Sequence, residues 1–234
     1  ASDPSFPLRV WACIPHADIE AAQALGLATG QGGEHFMVGG AKFFVDGALG
    51  SHTAWMLEPY AGTEQVGIAV DGPDVLNERI PLAIEAGLTP VIHAIGDAAN
   101  RAIIDVLEAT APQWQAAGLR PRIEHAQHLH PDDVVRIVRL GIIPSMQPIH
   151  LTFDAPLIQR WLPDRIERAY QFRTLKNGGA RIPLGSDTPV APPGVIADVV
   201  AATTMTARDG SVLQEHQALT VEEALWGHTR DAAW

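Results

Sequence analysis

The feature that most restricts what this chain can fold into is a repeated alternation. A short apolar run rich in β-branched residues is followed by a polar or glycine-containing turn and then by a longer stretch of helical character. The runs fall at residues 8–14, 41–45, 89–95, 122–126, 141–146 and 181–185, which reads as six strands. Helical stretches lie at 17–27, 73–86, 98–111 and 131–140, in an irregular stretch ending in 169–177, and at 195–207. Pro131 followed by Asp132 and Asp133 marks a helix start, since the first turn needs no N–H from proline and carboxylates favour the positive end of the helix dipole. Gly87, Gly118, Gly141 and Gly178 stand near helix ends, and Thr220 with Glu223 has capping-box spacing ahead of a last helix. Such alternation calls for parallel strands with right-handed crossovers, hence an α/β fold.

An open doubly wound sheet and a (β/α) TIM-type barrel both satisfy that pattern, and the polar residues separate them. Nearly every run ends in a group capable of chemistry: Lys42 and Asp46, His93, Glu124 and His125, Gln147, Asp187. A ring of functional side chains at the C-terminal strand ends is the barrel's habit. An open sheet gathers them at one switch point, usually with a phosphate loop, and no GxGxxG or Walker-type sequence occurs. The 234 residues suit a single domain over 1–234, since a barrel takes about 250. Six strands are two too few. Because the first run begins so early, the expectation is an incomplete barrel holding strands three to eight, its first two strands lying upstream.

The formal net charge of −11 argues against nucleic acid or an anionic membrane surface as partner and favours a small-molecule substrate. No apolar run approaches the roughly 18 residues of a membrane span. A single cysteine, Cys13, excludes an internal disulfide and points to the cytoplasm. A lean share of charge leaves room for a homo-oligomer.

Lys42, His93, His125 and Asp187 each follow or interrupt an apolar strand, where an unpartnered polar side chain is costly. Their wide spacing excludes a local motif, so only a closed sheet would bring them together. Two imidazoles and a carboxylate suit zinc, and a metal so held acidifies water and polarises a carbonyl, as amide hydrolysis requires. Asp187 could then accept the water's proton and pass it to the leaving nitrogen. A lysine repels a metal unless carboxylated by carbon dioxide. Each residue alone also has an ordinary reading: a core histidine, a snorkelling lysine, a turn-capping aspartate.

Four blocks, KFFVDGALGSHTAWMLEPY (42–60), HAIGDAANRAIIDVLEA (93–109), RIEHAQHLHPDDVVRIVRLGIIPSMQPIH (122–150) and GSDTPVAPPGVIADV (185–199), resemble the signature blocks of amidohydrolase family 3, which includes N-substituted formamide deformylase-like enzymes. They occur in family order across most of the chain. The resemblance implies a distorted barrel with one or two divalent ions, most naturally zinc, and hydrolysis of a non-peptide amide-type C–N bond. It casts Lys42 as a carboxylated bridging ligand, His93 and His125 as ligands from strands five and six, and Asp187 as ligand and catalytic proton acceptor. The family's His-x-His has no counterpart before Lys42. The triplet His128-Leu129-His130 lies too late, and His16 and His35 lack the spacing. The chain is therefore expected to supply only part of the centre. The alternative function is a catalytically incomplete piece, or a descendant retained for binding or assembly. Asp46, Ser51, Thr53, Asp97, Glu124 and Gln147 are expected near the site, touching substrate or the ligands.

Overall fold

The computed structural model describes residues 8–234. Five strands form one sheet: β1 (Val10–Pro15), β2 (Phe36–Phe44), β3 (Pro90–Ala94), β4 (Arg122–His125) and β5 (Ile143–Ser145). Every pairing is parallel and the spatial order is β1-β2-β3-β4-β5. Each crossover steps the same way, with none of the reversal that defines a doubly wound sheet. The described strands are an arc of a (β/α) barrel.

Two strand expectations change in detail. The run at 181–185 is not a strand: Leu184 makes a single parallel bridge to Met146, just beyond β5. Pro183 brings no N–H to a ladder there, although its carbonyl accepts from Met146 N and Gly185 N donates to the Met146 carbonyl. The sixth run still takes the next place in the barrel order. β2 begins at Phe36, ahead of the expected 41, because Gly39 and Gly40 disguise it. A Cβ on Gly40 would stand 2.1 Å from the Thr89 carbonyl oxygen, so glycine is what lets β2 approach the segment leading into β3.

Nine α-helices occur among the described residues: α1 (Ile19–Ala24), α2 (Pro73–Glu85), α3 (Asp97–Ala109), α4 (Ala111–Ala116), α5 (Pro131–Leu140), α6 (Pro148–Trp161), α7 (Phe172–Asn177), α8 (Val195–Thr204) and α9 (Val221–His228). The helix punctuation holds where it was read. α5 opens on Pro131 and closes on Gly141 at φ 76°, and Thr220 and Glu223 form the reciprocal capping box of α9. No described helix is long and apolar enough to cross a membrane.

The core lies between the sheet and its helices. Along β2, Ala41 and Phe43 are fully buried and face outward onto that layer, while Lys42 and Phe44 project from the opposite, inner face. Ile92 and Ile123 continue the outer face, packed in one cluster with Ile80, Ile103, Leu107 and Ile137 from α2, α3 and α5. The inner face carries the chemistry: Lys42, His93 and Glu124, the last two matched in register across β3 and β4.

Candidate metal centre

His93, the fourth residue of β3, points inward. Its Nε2 is 3.0 Å from the Gly47 carbonyl oxygen and 3.4 Å from Asp46 Oδ1, which fits an Nε2–H donor and leaves Nδ1 with a free lone pair. Asp46 is buried and accepts three backbone N–H bonds, from Ile95 to Oδ1 at 3.0 Å and from Gly96 and Trp55 to Oδ2 at 2.8 and 2.9 Å. It clamps the ends of β2 and β3 to the loop between β2 and α2 and braces the His93 ring.

His125 ends β4. Regular alternation would send Glu124 and His125 to opposite faces, but His125 has φ 75° and Ala126 φ 43°. That turn sets the His125 ring edge-on to His93, with centroids 4.5 Å apart. Asp187, too, is left-handed, at φ 57°. Non-glycine residues in this region cost about 1–2 kcal/mol each, and such strain gathers at functional sites.

The third imidazole is His150, in the first turn of α6, stacked on His125 at 5.7 Å between centroids. His125, His150 and Asp187 each offer a donor atom within 4.8 Å of the others. Sequence reading stopped at Gln147, the polar residue at the end of its strand. His150 lies three residues further on, in a helix start that turns back over the sheet's C-terminal edge; its presence at the end of the QPIH block was the available signal.

The donor atoms fit a cation. His125 Nδ1 and His150 Nε2 are buried without a hydrogen-bond partner, an arrangement whose cost a bound ion would remove. Burial holds the His125 pKa well below the ordinary histidine value, and the nearby His93, His150 and Lys42 lower it further. Its lone pair is therefore available at neutral pH. Two imidazoles and a carboxylate match the nitrogen and oxygen preference of zinc and similar ions.

The other expected residues are distributed unevenly. Lys42 sits on the inner face of β2, its Nζ 4.7 Å from the Phe44 ring centroid, and burial lowers its pKa while Glu124 partly restores it. Glu124 accepts a 2.5 Å bond from Arg122 Nε on the same strand. Gln147 lies beside His125; its Nε2 donates to the Ser145 carbonyl and its Oε1 is buried without a partner. Ser51 and Thr53 bond each other at 2.6 Å within their own loop, which presents Ala48, Leu49 and Gly50 to the cavity instead. Asp97, buried away from the cavity, makes no cap for its helix; it accepts from Leu57 N and Arg168 Nη1, both at 2.8 Å.

The cluster opens on a cavity of about 370 Å³ with apolar walls that include Leu49, Ile95, Phe153 and Val190. That is the form of a small-molecule site, apolar lining around a few convergent polar groups.

Known proteins resemble this chain in sequence and in fold. The chain is 38% identical over 189 residues to Protein LONG AFTER FAR-RED 3 of Arabidopsis thaliana, covering 80% of this chain and 31% of that protein. It is 28% identical over 206 residues to N-substituted formamide deformylase of Arthrobacter pascens, covering 85% and 37%. An uncharacterized metal-dependent hydrolase from Pyrococcus horikoshii OT3 superposes with a TM-score of 0.86 at 29% identity, over 96% of this chain and 45% of that one. The chain thus spans less than half the length of each. The family model described as the amidohydrolase family matches residues 3–234, nearly the whole sequence. On a match that takes in nearly every residue of the barrel arc, the chain belongs to the amidohydrolase family.

Proposed function

We propose that this chain carries the larger part of the centre of a metal-dependent hydrolase that cleaves an amide-type, non-peptide C–N bond. The observation that carries the proposal is the convergence of His125, His150 and Asp187, with two imidazole nitrogens buried and unpartnered, beside an apolar cavity. The family membership and the metal-dependent hydrolase neighbour support the reaction class. The formamide deformylase relative supports the C–N bond.

A divalent ion, zinc suiting the donor set best, would supply Lewis acidity for polarising a carbonyl and acidifying water. His125 and His150 would hold it, and His93 lies ready through Nδ1, its ring fixed by Gly47 and Asp46. Asp187 is the proton carrier: its side chain is 41% exposed, with Oδ2 4.0 Å from His150 Nε2, so it can take a proton from water and deliver it to the departing nitrogen. Lys42 is proposed as a carboxylated ligand, and the burial that lowers its pKa favours the neutral amine that adds carbon dioxide.

Metal analysis of the full-length protein, with amide hydrolysis measured before and after chelation and again after zinc is restored, tests this reading. Activity indifferent to the chelator would overturn it. A second reading, binding or assembly without turnover, draws on Trp11 and Phe44, apolar residues of the inner face that are 44% and 51% exposed. A monodisperse, active monomer of this chain would exclude it.

A further inference from the structure

The cavity contains a carboxylate that the hydrolytic chemistry leaves unused. Asp154 lies four residues after His150 on α6, so the two share a helix face with Cβ atoms about 5–6 Å apart. Its Oδ2 accepts both Gln127 Nε2 at 2.8 Å and Tyr170 OH at 2.9 Å. No hydrogen bond from a described residue reaches Oδ1, and Asp154 lines the cavity. The support is rigid. Tyr170 is buried and left-handed at φ 46°, and its backbone N donates to the Gln127 carbonyl at 2.8 Å. Two donors on Oδ2 hold the carboxylate in place and leave Oδ1, on a residue that lines the cavity, without a donor among the described residues.

We propose that Asp154 is a specificity-determining residue: its free Oδ1 accepts a hydrogen bond from an N–H of the substrate, whose apolar remainder lies along Leu49, Ile95, Phe153 and Val190. The site then selects primary and secondary amides bearing an apolar group over tertiary amides and esters. An occupant that covers Oδ1 without offering it a donor leaves an acceptor stripped of water and unpaired, which is why such a site discriminates against the analogue that lacks one. Calling the occupant a substrate rests on the hydrolase reading; recognition of the donor does not.

Asp154→Asn separates this role from a bracing one. The carboxamide oxygen can keep the bonds from Gln127 and Tyr170, while its NH₂ replaces the acceptor facing the cavity. Ligand-observed NMR on the full-length, metal-loaded protein would compare benzamide with N,N-dimethylbenzamide. Benzamide is expected to bind about ten-fold tighter or more to the wild type, with the ratio falling to near one in Asp154→Asn. Equal affinities in the wild type overturn the proposal without any variant, as does absence of binding by either compound at millimolar concentration. A preference retained in Asp154→Asn overturns it as well. The chelation experiment judges the hydrolase reading separately: a donor preference without metal-dependent hydrolysis sinks that reading alone, and hydrolysis without the preference sinks only this one.

Discussion

Replacing Asp46 measures how firmly the site is held. In Asp46→Ala, the backbone N–H groups of Ile95, Gly96 and Trp55 lose their common acceptor in the interior. Each buried unpaired donor costs about 1–3 kcal/mol, so the expected loss is about 3 kcal/mol or more, moderated where water refills the vacated space. Asp46→Asn is milder by construction. Its carboxamide oxygen can stand in for Oδ2 and keep Gly96 and Trp55, while its NH₂ opposes the Ile95 N–H, leaving one donor unpaired and a loss of about 1–3 kcal/mol. Urea unfolding of the full-length proteins, followed by tryptophan fluorescence with midpoint and slope fitted together, reads both values. The signature is a loss in the alanine variant two to three times that in the asparagine variant, with metal content reduced in both because His93 loses its brace. Two indistinguishable variants, or an alanine variant within about 1 kcal/mol of wild type, would refute the clamp.

Asp187→Asn is expected to lower kcat/KM for amide hydrolysis by about 100-fold or more and to leave the thermal midpoint unchanged, since the side chain is largely free of packing; full activity would remove it from proton transfer. His150→Ala should weaken metal affinity about ten-fold or more by equilibrium dialysis, and unaltered metal content would show that His150 is no ligand. His128 is buried with neither ring nitrogen hydrogen-bonded, and burial, partly offset by Asp97, lowers its pKa to about 4. Its proton binds the unfolded chain first, so stability holds above about pH 6.5 and is lost as pH falls toward 4, by about 3 kcal/mol for this group. Denaturation between pH 7 and 4.5 should show that slope in the wild type and a shallower one in His128→Gln; equal slopes would refute it.

The legibility of the site varied with how directly each side chain depends on its own strand. His93 and His125 stand at or one residue before the ends of strands whose apolar runs are plain in the sequence, and Asp187 follows a run that still bridges to Met146 just beyond β5. Asp97 illustrates the opposite case. It stood out as a polar group at an element end, yet it is occupied by the Leu57 N–H and by Arg168, both distant in sequence. Asp154 gave no signal beyond being an acid in an apolar helix, because its significance depends on Gln127 and Tyr170 from other segments.

Periodicity and punctuation are local properties, and they suffice for the α/β class, the parallel strands, the limits of α5 and the capping box of α9, because each follows from hydrogen-bonding needs that a few neighbouring residues meet themselves. The four blocks at 42–60, 93–109, 122–150 and 185–199 carry the family resemblance. Which donors meet is a different matter. His150 joins His125 and Asp187 through the turn from β5 into α6 and through left-handed backbone at His125 and Asp187, conformations that L-residues avoid unless surrounding packing imposes them. That imposition comes from contacts between segments far apart in the chain, and so the cluster exists only in the folded arc.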